Sequence, residues 1–172
     1  ETAAGAFDLE TSGRTAKALQ ILSRKAGIYG MIGGQVVDVE SEGQPLSREK
    51  LDFIYRLKTS ALIEAAMTVG AVLAGATEEE TSAIESVAGD VGLAFQIQDD
   101  ILDVTSTLEV LGKPIHSDDK NHKTTYVTLE GLDKAREDVK EISERAIRTL
   151  TSLRKKNEFL EELIRMLITR EK

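Results

Sequence analysis

Apolar residues recur at intervals of three and four along most of the 172-residue chain, the pattern of helices that each bury one face. The first run predicts a helix over 14–39, with Leu19, Leu22, Ala26, Ile28, Ile32 and Val36 at helical spacing. Gly27, Gly30, Gly33 and Gly34 fall inside it. Each is about 1 kcal/mol less favourable than alanine in a helix unless a backbone or a ligand must come close. The stretch SEGQPL, Ser41 to Leu46, reads as a turn, and Ser47 as the N-cap of a second helix over 48–76. Thr77 and Glu80 form a capping box, with Glu78, Glu79 and Glu80 at the positive end of a third helix running to about Val104. A connection over 105–124 comes next, long enough to be read as functional. Val139, Ile142, Ala146 and Leu150 then mark a charged amphipathic helix, and Leu160, Leu163, Ile164 and Leu167 a last one.

Two polar features break this pattern. On a helical wheel Lys58 lies inside the apolar stripe of its own helix, with Leu51, Ile54, Ala61, Leu62 and Ala65 within roughly 60° of it. A buried ammonium without a partner costs several kcal/mol or loses its proton, so an anion is expected beside it. In the third helix Gln96, Asp99, Asp100 and Asp103 share an arc of roughly 100°, while Leu93, Phe95, Ile97, Ile101, Leu102 and Val104 make the remainder apolar. Three carboxylates in one arc repel one another, and a divalent metal that takes oxygen ligands relieves the repulsion.

Composition narrows the classes. Only Pro45 and Pro114 interrupt a chain that is 41% hydrophobic, which favours one all-α domain with a sizeable core. A net charge of −8 argues against a nucleic-acid partner. The absence of cysteine removes disulfides, thiolate zinc sites and thiol nucleophiles, and permits a cytoplasmic location. No apolar run approaches the roughly 20 residues of a membrane span. The opening ETAAGAFDLET has no initiator Met and reads as a trimmed or cleaved N-terminus.

Acidic groups and lysines around one cavity are the parts of a Mg²⁺-bridged phosphate site, with Asp99, Asp100 and Asp103 on one side and Lys58, Lys113 and Lys123 on the other. Other chemistries fit less well. His116 and His122 with Asp118 and Asp119 between them do not follow a short zinc spacing. There is no GxSxG turn for a serine hydrolase, and no GxxxxGK[ST] or GxGxxG phosphate cradle.

The blocks MIGGQVVDVESEG, RLKTSALIEAA, VGAVLAGAT, GLAFQIQDDILDVTSTLEVLGKP and KTTYVTLEGLDKARE resemble the second half of a trans-isoprenyl diphosphate synthase, nearest the bacterial farnesyl diphosphate synthase group. The resemblance implies an isoprenoid-synthase-type antiparallel helical bundle in which residues 1–172 are the C-terminal half of one synthase domain. It implies that Asp99, Asp100 and Asp103 bind Mg²⁺, and that Lys58, Lys113 and Lys123 reach the diphosphate of an allylic substrate, dimethylallyl or geranyl diphosphate, with Thr59 beside the reacting centre. Gln96 and the Lys58–Thr59 backbone would stabilise the allylic cation, and Gln35 would line the cavity with Asp38 orienting it. The implied reaction is head-to-tail 1′-4 condensation with isopentenyl diphosphate, giving farnesyl or geranylgeranyl diphosphate, in a cytoplasmic homodimer. A first aspartate-rich motif and the basic residues for isopentenyl diphosphate belong, in that family, to a half preceding Gly5, so the isolated chain is expected to be inactive. His116 stands where the family usually has Gly. A non-catalytic synthase-like subunit and a terpene cyclase remain as alternatives, although the KT, GQ and GK blocks favour chain elongation.

Overall fold

Helix-forming residues dominate the sequence, and in the computed structural model, which describes residues 12–105 and 124–168, every regular element is helical. The elements are α1 (Ser12–Ala26), α2 (Met31–Glu40), α3 (Arg48–Ile54), a π-helical turn (Tyr55–Ser60), α4 (Ala61–Leu73), α5 (Glu78–Thr105), α6 (Tyr126–Glu130), α7 (Leu132–Ser152) and α8 (Glu158–Ile168). The all-α expectation therefore holds.

The 28-residue α5 is the axis of the molecule, packed on α4, α7, α8, α6 and the π-turn. Its buried residues Val87, Val91, Ala94, Ile97 and Ile101 meet Ala135, Val139, Ile142, Ala146 and Leu150 of α7, and Leu51 and Ile54 of α3 join the same core. The predicted cap at Thr77 is present in both directions: the Glu80 N–H donates to Thr77 Oγ1 at 3.2 Å and the Thr77 N–H to Glu80 Oε2 at 2.9 Å. Ser47 caps α3 through the Lys50 N–H at 3.3 Å.

Three expectations change. The helix expected over 14–39 is two helices, broken at Gly27–Gly30, where the Gly30 and Ile32 N–H groups both turn back to the Gly27 carbonyl. A methyl group at Gly30 would stand 1.9 Å from the Lys25 carbonyl oxygen, so only glycine lets the chain reverse so tightly. The helix expected over 48–76 ends at Leu73 and carries the π-turn within it. That turn holds one residue more than an α-helical turn and so rotates the residues C-terminal to it. Leu62, placed in the apolar stripe by a uniform wheel, is 41% exposed, whereas Ser60, on the far side of that wheel, is fully buried. In α8, Ile164 is buried but Leu163 is exposed. Leu19, Leu22, Ile28, Ile32 and Val36 also face solvent, together with Tyr29 and Val39. They give α1 and α2 an apolar outer face.

Candidate functional site

The π-turn carries Lys58 and Thr59, and it is gripped from two sides. From α2, Gly34 comes so close that a methyl group there would lie 2.4 Å from the Lys58 backbone nitrogen and 2.7 Å from Leu57 Cβ. From α5, Gly92 presses on Ser60, where a methyl group would lie 2.6 Å from Cα. Ser60 turns its hydroxyl onto the Tyr55 carbonyl at 3.1 Å, five residues back. The close-approach reading of Gly34 is thus borne out.

A third tie lies further along α5. The Tyr55 hydroxyl donates to Asp100 Oδ2 at 2.5 Å, and the Tyr126 backbone N–H donates to the same oxygen at 2.7 Å. Gly92 and Asp100 are eight residues apart, so both lie on the α5 face turned to the π-turn, and Gln96 occupies the middle of that face. Asp103 comes one turn later and is buried at 4% exposure, while Asp99 is half-buried. The acidic stripe and the lysine turn are therefore neighbours.

Lys58 has the anion its position calls for. Its Nζ donates to Asp38 Oδ2 at 2.5 Å, with the lysine side chain 33% exposed and the aspartate 14%. Gln35, one turn before Asp38 on α2, is exposed. The structure thus pairs Lys58 with Asp38 and ties Asp100 to the start of the same π-turn, with Thr59 on that turn and Gln96, Asp99 and Asp103 on the adjoining stretch of α5. Lys113 and Lys123 lie outside the described residues, as do His116, His122, Asp118 and Asp119.

Behind Asp100 stands a second polar cluster that the sequence pattern did not reveal. Tyr126 is buried at 2% exposure; its hydroxyl donates to Asp138 at 2.7 Å and accepts from Arg48 Nη2 at 2.8 Å. The Arg48 guanidinium also lies over the Tyr126 ring, 4.2 Å from its centroid, and pairs with Asp52 and Glu130. Burial, reinforced by the bond to Asp138, pushes the Tyr126 phenol up to about 12. A reciprocal capping box between Thr125 and Thr128 fixes the start of α6. The available signals were Thr125 and Thr128 at capping spacing and two tyrosines in a chain with 4% aromatics. Neither says that they meet at Asp100.

Mg²⁺ takes oxygen ligands, commonly one or two carboxylates, with water and substrate phosphate completing its shell. Among the described residues no three His, Asp or Glu groups converge closely enough to hold an ion by themselves. An oxygen-only stripe beside a lysine fits a partial ligand set of that kind, completed by an anionic substrate.

The described residues form an all-α bundle with an aspartate stripe on its central helix and a lysine on the adjoining turn. Comparison with known proteins gives that bundle its class, the all-α isoprenoid synthases. The Polyprenyl synthetase family profile matches residues 3–165. A dimethylallyltranstransferase of Fischerella ambigua is 40% identical over 158 residues, spanning 91% of this chain and 46% of that protein. A farnesyl diphosphate synthase of Geobacillus stearothermophilus is 40% identical over 121 residues, 70% of this chain and 41% of its own length. The solved geranyltransferase of Helicobacter pylori, complexed with magnesium and isoprenyl diphosphate, superposes with a TM-score of 0.74 at 34% identity, over 91% of this chain and 52% of that one. This chain belongs to the polyprenyl synthetase family, and it spans about half the length of these relatives.

Proposed function

We propose that this chain forms the allylic-diphosphate side of a short-chain prenyltransferase active site. The intact enzyme would condense isopentenyl diphosphate head to tail with dimethylallyl or geranyl diphosphate, giving farnesyl or geranylgeranyl diphosphate. The observation that carries this reading is the Lys58–Thr59 turn held against the aspartate stripe of α5 by Gly34, Gly92 and Asp100.

The motif of Asp99, Asp100 and Asp103 would form the Mg²⁺ side of the site, and the ion when bound offsets charge on the departing diphosphate. Lys58 would exchange Asp38 for a diphosphate oxygen and act there as a point charge, with Lys113 and Lys123 serving the same leaving group. The allylic C–O bond then breaks with both electrons leaving on oxygen. Thr59, Gln96 and the Lys58–Thr59 carbonyls would face the positive carbon. A π-turn suits that role, because it departs from the regular α-helical pairing of carbonyls. Gln35 would line the cavity beside Asp38. Apolar neighbours keep water from the cation while the double bond of isopentenyl diphosphate attacks it. The proton lost from the new chain goes to the released diphosphate.

In this reading the first aspartate-rich motif and the isopentenyl diphosphate site belong to a facing N-terminal half. The apolar face of Ile28, Tyr29, Ile32, Val36 and Val39 supports a homodimer through α1 and α2. Among the described residues no helix is long and apolar enough to cross a membrane, and a cytoplasmic location is part of the proposal. The test uses the purified 172-residue chain with Mg²⁺, isopentenyl diphosphate and dimethylallyl or geranyl diphosphate. We expect no product from it alone and turnover once the facing half is supplied in the same polypeptide. Turnover by the chain alone would overturn its assignment as half a site, and none from the complete polypeptide would overturn the function.

A further inference from the structure

We infer that Asp100 is the positioning carboxylate of the acidic motif, tying the Lys58–Thr59 turn and the start of α6 to α5, and that metal affinity rests on the more open Asp99. The inference deepens the prenyltransferase reading and rests on it. Three observations carry it. First, Asp100 Oδ2 accepts from both the Tyr55 hydroxyl and the Tyr126 N–H. A carboxylate oxygen offers two lone-pair directions, and two donors occupy both. Second, the donors come from different elements. Tyr55 opens the π-turn three residues before Lys58, and Tyr126 opens α6 after its capping box. One oxygen thus fixes two elements relative to the third. Third, Asp100 is buried at 8% exposure with Tyr126 behind it at 2%, whereas Asp99, the carboxylate next to it, is half-buried. A hydrated Mg²⁺ requires open space around its ligands, and the Oδ2 side of Asp100 is filled by protein.

Charge assistance makes these bonds roughly twice as strong as neutral ones, and burial makes either donor costly to orphan. Removing the charge at Asp100 therefore shifts the Lys58 turn, whereas removing it at Asp99 acts on the ion. Both variants lose one carboxylate, but they should differ in what changes.

The experiment compares Asp100→Asn, Asp99→Asn, Tyr55→Phe and the Asp100→Asn/Tyr55→Phe double variant in the complete synthase. Turnover is followed against Mg²⁺ concentration, and Mn²⁺ binding is read by its electron-spin signal with inorganic pyrophosphate present. Asp100→Asn is expected to lower kcat by about 10-fold or more, with the half-saturating Mg²⁺ and the Mn²⁺ affinity within about twofold of the parent. Asp99→Asn is expected to raise both metal constants by about 10-fold or more. Tyr55→Phe should lower kcat about threefold, and the double variant should match Asp100→Asn, because both changes act on the same Tyr55–Asp100 bond. The inference is overturned if Asp100→Asn weakens metal binding as Asp99→Asn does, or if the Asp100 and Tyr55 effects multiply as independent changes. Should Asp100→Asn fail to fold, Tyr55→Phe decides alone: lower kcat at unchanged Mg²⁺ dependence supports the inference, and unchanged kcat overturns it. A synthase in which Asp99→Asn and Lys58 substitutions leave turnover intact would instead sink the prenyltransferase reading. The Asp100–Tyr55 coupling in thermal melts would survive that outcome.

Discussion

Lys25 and Lys58 are both lysines drawn partway into the bundle, yet they are paired in opposite ways. Lys25, on α1, meets Glu64 of α4 and Glu85 of α5, the latter at 2.6 Å, and its side chain is 21% exposed. Burial works against its charge, but the hydrogen bonds to the two glutamates outweigh it and hold the ammonium above its usual range. Lys58 is 33% exposed and, among the described residues, pairs with Asp38 alone. Two carboxylates from two other helices hold Lys25, whereas one holds Lys58, so at Lys58 an incoming anion has a single ion pair to displace. Lys25 is a brace between three helices; Lys58, in the proposed function, exchanges its one partner.

Replacing each lysine by Met is the strongest way to break that contrast. In the complete synthase Lys58→Met should lower kcat by about 100-fold or more while the melting temperature moves little. Lys25→Met should leave turnover within about twofold and cost about 1–2 kcal/mol of stability, since it strands the half-buried Glu64 while Glu85 stays exposed to water. Equal losses of turnover from both would erase the distinction. Gly34→Ala probes the Lys58 side without touching its charge. The added methyl meets backbone rather than a movable side chain, so the π-turn must shift at about 1–3 kcal/mol or more. Turnover should fall with it, whereas Gly70→Ala, which has open space inside α4, should leave turnover unchanged and raise stability by about 0.5–1 kcal/mol.

The smallest effect is alkaline. Tyr126 is raised from 10.0 to about 12 on folding, so the folded protein holds a proton the unfolded chain gives up. Its contribution is complete below pH 10 and is lost as pH rises towards 12. Lys25 is also raised, so its pairing likewise weakens upward from its ordinary 10.5. Denaturant melts between pH 9 and about 12 should fall less steeply for Tyr126→Phe than for the parent. An unchanged slope would show that the bond to Asp138 does not distinguish folded from unfolded tyrosine.

Much of this was legible along the chain. The caps at Ser47 and Thr77 are local chemistry and could be read from neighbouring residues. The misfit of Lys58 in an apolar stripe required an anion, and Asp38 is that anion. The hidden features depend on elements distant in sequence. The π-turn sits where Gly34 of α2 and Gly92 of α5 each press on it, which a periodic pattern does not encode. The double bond to Asp100 joins residues 45 and 26 positions apart. An acidic triplet read as three equal ligands gives no sign that Asp100 and Asp103 are buried while Asp99 is more open.

The π-turn also fixes a length. An extra residue advances the helix by about 100°, so the faces of α3 and α4 are set out of phase with each other. Deleting any one residue between Tyr55 and Ser60 would restore an unbroken helix and swing all of α4 round its axis, even if Lys58 and Thr59 survived. In this segment the number of residues is as strictly constrained as their identity, and a library of single deletions should find it far less forgiving than one of substitutions.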